Sequence, residues 1–249
     1  MTFDVVADAY ARFMGRYSEP LADQLVELAG VRAGMRAIDV GCGPGVLTAR
    51  LVERLGADHV AALDPSAPFV AAARERCPGA DIRQGTAEAL PYDDDAFDVA
   101  LANLVVHFMS DPAGGLREMG RVGGAVAATV WNHTSGTGPL STFWRAVKDL
   151  DPDAADESVL PGTGEGDLGG IARAAGLRDV SEGTLTVTVP YSSFDEWWEP
   201  YTLGVGPAGD YVAGLDEAGR ETLRRHCAEL LPDGPFEVEA TAWTVVARR

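Results

Sequence analysis

Short apolar runs and amphipathic stretches alternate along the first half of the chain. The apolar runs predict strands at residues 36–40, 60–63, 82–84, 97–103 and 125–131. Apolar residues at helical spacing predict helices at residues 19–29, 46–55, 65–76 and 113–120. A regular alternation of strand and helix is typical of βαβ units. It predicts a parallel sheet that is covered by helices on both faces.

The pattern changes after residue 131. Residues 132–170 and 190–232 are rich in Gly, Pro and polar residues, and both segments contain aromatic clusters. Around these segments the earlier pattern returns, with a predicted helix at 168–175 and alternating strands at 184–189 and 236–246. We therefore interpret the two polar segments as insertions near the carboxyl-terminal half of an α/β core.

The length of the chain fits this organisation. A chain of 249 residues can form a single large α/β domain with an ample core. We predict one domain over residues 1–249, made of an N-terminal cap, a core and two insertions, at about 1–30, 31–131, 132–170 and 190–232.

Charge and residue types exclude several classes of function. Acidic residues outnumber basic ones by 38 to 20, for a net charge of −18, which disfavours a nucleic-acid partner. The three Cys and four His show no metal-ligand spacing, so neither a metal site nor a disulfide framework is predicted. No apolar run approaches the roughly 18 residues of a membrane-spanning helix, and no secretory signal pattern is present. We expect a cytoplasmic protein.

A glycine-rich loop is the most informative segment. Gly41, Gly43 and Gly45 lie between the first predicted strand and the following helix, where glycine permits positive φ and close approach of the backbone to a ligand. In a doubly wound sheet, a nucleotide-like ligand meets the helix N-terminus at this turn. Asp64 ends the next strand, roughly 20 residues further on, where a carboxylate can accept both ribose hydroxyls.

Two ligand classes fit such a loop. A dinucleotide fingerprint requires glycine at its first, third and sixth positions, but the sixth position counted from Gly41 is Val46. Counted from Gly43, the sixth position is Thr48. An NAD-dependent oxidoreductase is therefore the weaker interpretation, and the absence of a GxxxxGK[ST] pattern excludes a P-loop.

Four segments in register, beginning with this loop, resemble one known family. Gly41-Cys42-Gly43-Pro44-Gly45 resembles motif I of the class I S-adenosylmethionine-dependent methyltransferases, in the branch that includes the quinone-biosynthesis enzymes. Asp64-Pro65-Ser66 resembles the acidic tip of the family's second strand. Residues 85–91 (GTAEALP) and 116–124 (LREMGRVGG) resemble its later motifs, and residues 10–18 resemble the N-terminal cap of one subgroup.

The resemblance implies a Rossmann-like class I methyltransferase fold, with a seven-stranded, mostly parallel sheet, helices on both faces and lid insertions. It implies S-adenosylmethionine as cofactor and methyl transfer to an O, N or C atom of a small molecule. The cofactor contacts that it implies are Tyr10, Arg16, Asp39, Gly41, Gly43, Gly45, Asp64, Pro65, Thr86, Ala87, Glu88 and Asn103.

The resemblance also implies how these contacts are shared. The adenine lies beside residues 86–88, and the ammonium of the donor lies near the backbone carbonyls of Gly41 and Asn103. Asp39 orients the loop and the amino-acid end of the donor. Tyr10 and Arg16 fold over the donor carboxylate, with simple packing of the N-terminal helix as the alternative.

The acceptor side is less defined. His107 and His133 follow the fourth and fifth strands and are candidate general bases, with a packing role as the alternative. The aromatic residues of the two insertions predict a hydrophobic or aromatic acceptor. The aromatic candidates for that pocket are Trp144, Trp197, Trp198 and Tyr201. Because proximity alone can accelerate the reaction, a cyclase-like enzyme or a binding module on the same donor site also stays open.

Overall fold

Seven strands form one mixed sheet in the computed structural model, which describes residues 7–249 and the side chains from residue 9 onward. The strands are β1 (Ala37–Val40), β2 (Val60–Asp64), β3 (Asp81–Gln84), β4 (Phe97–Asn103), β5 (Gly123–Trp131), β6 (Arg178–Tyr191) and β7 (Phe236–Arg248). Their order is β3-β2-β1-β4-β5-β7-β6. Strands β1 to β5 are parallel, whereas β7 is antiparallel to both of its neighbours. The predicted seven-stranded, mostly parallel sheet is confirmed.

Helices connect the strands, and helices also lie in the segments 132–170 and 190–232. The α-helices are α1 (Ala7–Tyr10), α2 (Arg16–Leu28), α3 (Val46–Leu55), α4 (Ala67–Arg76), α5 (Pro112–Val122), α6 (Ser141–Leu150), α7 (Asp167–Ala174), α8 (Phe194–Trp198), α9 (Gly206–Gly214) and α10 (Glu217–Glu229). A π-helical turn, Ala11–Gly15, joins α1 to α2. Over residues 7–249, no helix combines the length and the apolar character needed to cross a membrane.

The alternation of side chains along β4 explains why helices cover both faces. Val99 and Leu101 pack with residues of α2 and α3, whereas Ala100 and Ala102 pack with residues of α5 and α7. All four side chains are fully buried. Because neither face meets water, the strand is apolar at every one of these positions rather than at every second one.

The N-terminal helices pack against the segment that follows β6. The ring of Phe13 meets that of Tyr201 edge-on at 4.9 Å between centroids. The hydroxyls of Tyr17 and Tyr191 share a buried hydrogen bond of 2.7 Å. An exposed ion pair between Arg12 and Glu199 lies beside them. Helix α2 and the π-helical turn before it are thereby held to the segment 190–232.

The Tyr17–Tyr191 hydrogen bond yields a stability prediction. Tyr17→Phe leaves the buried Tyr191 hydroxyl without this partner, so we expect the free energy of unfolding to fall by about 1–2 kcal/mol in urea denaturation. As a control, Tyr92→Phe removes a 3.3 Å exposed hydrogen bond to Asp81. That change should stay below about 0.5 kcal/mol. Equal effects of the two substitutions would contradict the importance of the buried pair.

Candidate functional site

The glycine-rich loop folds back over the carboxyl end of β2. The backbone N–H of Gly41 donates to the carbonyl oxygen of Leu63 at 2.9 Å. The φ angles of Gly41, Gly43 and Gly45 are 75°, 51° and 87°, in the left-handed region that favours glycine. Helix α3 starts directly after Gly45, so its unpaired N–H groups lie beside the loop.

Close packing constrains two of these glycines and leaves the third open. A Cβ atom on Gly41 would lie 2.4 Å from Cγ2 of Val105, and one on Gly45 would lie 3.1 Å from Cα of Ala73. A Cβ on Gly43 would meet nothing within 4 Å. Gly43 is therefore the point at which the backbone faces open space.

The carboxylate of Asp64 fixes the loop to β2. Its Oδ2 accepts the N–H of Gly43 at 2.9 Å, and its Oδ1 accepts the N–H of Ser66 at 2.9 Å. Burial raises the pKa of Asp64, and the two backbone N–H groups oppose that rise. A carboxylate has about four lone-pair positions, so acceptor capacity remains for the hydroxyls of a ligand.

A cavity of about 300 Å³ opens between the loop, Asp64 and the end of β4. Nine of the predicted cofactor contacts line it, namely Tyr10, Gly41, Gly43, Asp64, Pro65, Thr86, Ala87, Glu88 and Asn103. The rest of its wall is largely apolar and includes Leu104, Val105, Phe108 and Met109. Residues from five separate segments of the sequence thus meet at one concave surface.

The other three predicted contacts lie outside this wall. Asp39 lines a small adjoining cavity, together with Tyr10 and Asn103. Gly45 packs against α4 behind the loop. Arg16 lines neither cavity, since its guanidinium pairs with Glu196 at 2.5 Å and donates to a backbone carbonyl of β6.

Asp39 is a buried carboxylate with one oxygen unsatisfied. The hydroxyl of Thr48 donates to its Oδ2 at 2.6 Å, while Oδ1 has no hydrogen-bond partner among the described residues. Only 1% of the residue is exposed. Burial raises the pKa of Asp39 to about 7, with the Thr48 hydrogen bond opposing and the nearby Asp64 adding to the rise. A cationic group of a ligand would satisfy Oδ1.

Glu88 holds the loop that follows β4. Its Oε1 accepts the backbone N–H groups of Ser110 and Asp111 at 2.9 and 3.2 Å. This carboxylate therefore draws the loop toward the segment that contains Thr86 and Ala87. The two sides of the cavity are joined at this point.

Comparison with known proteins agrees with this geometry. Residues 38–127, from β1 into β5, match a family described as a methyltransferase domain. Residues 38–127 therefore form a methyltransferase domain. The predicted family is thus confirmed on the segment that contains the glycine-rich loop, Asp64 and Asn103.

Curated methyltransferases are similar to part of the chain. The chain is 33% identical over 165 residues to the malonyl-[acyl-carrier protein] O-methyltransferase of Salmonella typhimurium, covering 63% of each chain. It is 36% identical over 105 residues to the trans-aconitate 2-methyltransferase of Rhizobium etli, covering 42% of this chain and 40% of that one. The matches span less than two thirds of the length of these relatives.

Solved structures share the fold over most of the chain. A phosphoethanolamine N-methyltransferase of Haemonchus contortus, in complex with S-adenosylhomocysteine, has a TM-score of 0.60 at 16% identity. That match covers 98% of this chain and 56% of the other. The [4+2]-cyclase SpnF has a TM-score of 0.55 at 20% identity, covering 93% and 81%. These similarities confirm the Rossmann-like class I methyltransferase fold.

The two candidate histidines lie beyond the apolar wall of the cavity. The ring of His107 lies 3.9 Å from the ring of Phe108 and 6.3 Å from that of His133, between centroids. Burial lowers the pKa of His107 to about 3 and that of His133 to about 4, so both are neutral at pH 7. Within residues 7–249, no cluster of three or more His, Cys, Asp or Glu could hold a metal ion.

A third cavity, of about 180 Å³, is lined by a buried carboxyl group that no sequence pattern indicates. Glu157 lines it together with His133 and Trp144, and is 4% exposed. Its Oε2 makes no hydrogen bond of normal geometry among the described residues. Burial raises the pKa of Glu157 to about 7, and its own backbone N–H and the Trp144 side chain oppose that rise. A pKa near the working pH suits a general base better than those of the two histidines. Glu157 lies in a polar insertion without periodicity, which explains why it escaped prediction.

All four of the predicted acceptor-pocket aromatics belong to the hydrophobic core. Tyr201 stacks on Phe143 with centroids 4.5 Å apart, and Trp197 lies 4.8 Å from Tyr201. Trp198 and Trp144 belong to the same buried cluster, and Trp144 also lines the 180 Å³ cavity. Their contribution to acceptor binding stays a prediction.

The packing of Gly41 can be tested with a matched glycine. Gly30 also has a positive φ, of 65°, but a Cβ there would meet nothing within 4 Å. Gly30→Ala should cost only the backbone strain of about 1–2 kcal/mol, whereas Gly41→Ala adds a clash with Val105 and should cost clearly more. Urea denaturation of both variants measures the difference. Equal losses would show that Val105 moves aside freely.

Glu157 makes stability depend on pH. The pKa of Glu157 is about 7 in the folded protein and 4.5 in the unfolded chain. Because the folded protein holds the proton more tightly, the free energy of unfolding falls as the pH rises from 4.5 to about 7. Glu157→Gln removes the buried charge and should be more stable than the wild type at pH 8, by on the order of 3 kcal/mol, with little difference at pH 5.

Thermal unfolding of the wild type and Glu157→Gln across this pH range measures the effect. Glu165→Gln, which replaces an exposed carboxyl in the same segment, is the control and should change stability by less than about 0.5 kcal/mol. A difference between Glu157→Gln and the wild type that does not vary with pH would contradict the prediction.

Proposed function

We propose that this protein binds S-adenosylmethionine in the 300 Å³ cavity and catalyses methyl transfer to a small-molecule acceptor. The observation that carries the proposal is the meeting of three features around two adjoining cavities. These are the open backbone at Gly43, the carboxylate of Asp64 and the unsatisfied oxygen of Asp39. Each feature matches a different part of an adenosyl amino acid.

The chemistry of the cavity fits this cofactor part by part. Asp64 has acceptor capacity for the two ribose hydroxyls, and a carboxylate there would repel a 2′-phosphate. The buried Oδ1 of Asp39 would accept from the donor ammonium. Thr86 and Ala87, with the apolar wall opposite them, provide a place for the adenine ring. Gly43 allows the backbone to approach the ligand closely.

Methyl transfer requires little chemistry from the protein's own side chains. When bound, S-adenosylmethionine supplies a methyl group on a sulfonium, and an O, N or C nucleophile displaces it in line as the carbon–sulfur bond breaks. The protein's residues bind and orient the two reactants, which can supply much of the rate enhancement. If the nucleophile loses a proton, Glu157 and His133, which line one cavity, are candidates to accept it, together with the neighbouring His107.

We place the acceptor beside the segments 132–170 and 190–232, which the sequence predicts to be insertions on the acceptor side. The relatives named above act on malonyl-[acyl-carrier protein] and trans-aconitate, so both free and carrier-linked small molecules are acceptor classes to test. The apolar wall of the first cavity favours a hydrophobic portion in the acceptor. The polar lining of the 180 Å³ cavity, which includes His133 and Glu157, favours a polar group in the acceptor as well.

Calorimetric titration with S-adenosylmethionine and S-adenosylhomocysteine tests the donor site. We expect saturable binding of both, weakened about tenfold or more in Asp64→Ala, because that substitution removes hydrogen bonds to a charged group. Asp81→Ala is the matched control, since Asp81 is an exposed carboxyl at the start of the neighbouring strand β3 and lines neither cavity. Its affinities should equal those of the wild type.

Other outcomes separate the remaining interpretations. Folded protein that binds neither ligand would overturn the proposal, and binding of NADH in their place would favour an oxidoreductase. Tight binding of S-adenosylmethionine without release of S-adenosylhomocysteine on a panel of acceptors would favour a binding module or a cyclase-like enzyme.

A further inference from the structure

A short hydrogen-bond network joins the ends of the two central strands. Asn103 ends β4, and Thr129 is its register partner on β5, so both side chains project from the same face of the sheet. The Oγ1 of Thr129 accepts the backbone N–H of Leu104 at 3.1 Å. The same hydroxyl donates to Oδ1 of Asn103 at 2.8 Å. Thr129 is fully buried.

The network fixes which end of the Asn103 amide faces the ligand cavities. A hydroxyl carries one hydrogen, and because Oγ1 of Thr129 accepts from Leu104, that hydrogen is available for Oδ1 of Asn103. With its oxygen held at the sheet, the amide turns Nδ2 away from it. Asn103 lines both the 300 Å³ cavity and the small cavity beside Asp39. Within the part of the chain that is described, Nδ2 has no hydrogen-bond partner.

Backbone strain at the next residue depends on the same hydroxyl. Leu104 has a φ of 61°, a left-handed conformation that costs a non-glycine residue about 1–2 kcal/mol. Its N–H is held by two oxygens of Thr129, the carbonyl at 3.0 Å and Oγ1 at 3.1 Å. Leu104 itself lines the larger cavity. Thr129 thus supports both the strained residue and the oriented amide at one wall of the site.

The carboxylate of the methyl donor has no cationic partner in the two cavities, and this indicates what the Asn103 amide binds. The amino-acid end of S-adenosylmethionine carries an ammonium and a carboxylate. Asp39 offers an oxygen to the ammonium, but among the described residues no Arg or Lys lines either cavity. Arg16, predicted to cover the carboxylate, is held by Glu196. Neutral hydrogen-bond donors are therefore required. Nδ2 of Asn103 is oriented to provide one, beside Tyr10, which lines the same two cavities and carries a hydroxyl.

On the basis of the proposed function, we infer that the side-chain amide of Asn103 binds the carboxylate of the methyl donor, and that Thr129 is the positioning residue that fixes its direction. The contact adds a side-chain interaction to the backbone carbonyl contact that the family resemblance implies for Asn103. It also assigns a role to a threonine outside every recognised motif.

Two ligands separate a carboxylate contact from a general effect on the site. S-adenosylhomocysteine has the complete amino-acid end, and its decarboxylated analogue keeps the adenosine, the thioether and the ammonium. Asn103→Asp retains an acceptor for the Thr129 hydroxyl but presents an oxygen in place of Nδ2. We expect calorimetry to show at least a tenfold weaker affinity for S-adenosylhomocysteine, with the analogue bound as well as by the wild type or better.

Thr129 is tested by an isosteric and a conservative substitution. Thr129→Val removes the hydroxyl but leaves the carbonyl that also accepts from Leu104, so the fold should persist, as circular dichroism can verify. We expect a threefold to tenfold loss of affinity for S-adenosylhomocysteine alone. Thr129→Ser restores the hydroxyl and should restore the affinity to within about twofold of the wild type.

The outcomes distinguish this inference from the proposed function. Wild-type protein that binds neither ligand would refute the proposed function itself. Binding of both ligands by the wild type, with equal losses for both ligands in Asn103→Asp and Thr129→Val, would overturn the inference and leave the donor site intact. Unchanged affinities in these variants would overturn it as well.

Discussion

The hydrogen bond from the Gly43 N–H to Asp64 determines the shape of the site. It joins a loop that follows β1 to the end of β2, and the second oxygen of the same carboxylate holds the entry to α4 through Ser66. One side chain thereby sets the relative position of two strand ends and one helix. The 300 Å³ cavity exists because the loop is held back in this way, which leaves the face of Gly43 open.

The elements that the sequence predicts best are those whose pattern arises from local burial. Strands β1, β2, β4 and β5 lie between helices on both faces, so each appears as a continuous apolar run. Helix α10 was not predicted because only Leu223 and Cys227 are buried in its 13 residues. The predicted strand at 184–189 is too short for a related reason. The first seven residues of β6 are exposed or partly exposed, without the alternation that marks a half-buried strand.

The residues of the site likewise differ in how well the sequence predicts them. Gly41, Gly43 and Asp64 can be recognised from sequence because a few residue types at fixed spacing serve one geometric purpose. The position of Arg16 cannot, since its partner Glu196 lies 180 residues away. Glu157 and Thr129 likewise gain their properties from burial and from partners that no local pattern specifies. The short sequence motifs therefore identify the proposed donor side, whereas the proposed acceptor side depends on tertiary contacts.

The place of the last strand in the sheet has a consequence for how the protein is made. Strand β7 lies between β5 and β6 and pairs with both, although it is synthesised after either of them. Until residues 236–248 leave the ribosome, β5 has an open edge and β6 has no neighbour in the sheet. Until β7 is made, the nascent chain thus presents unpaired strand edges, the kind of surface on which chains associate with one another. Insertion of β7 closes both edges at once.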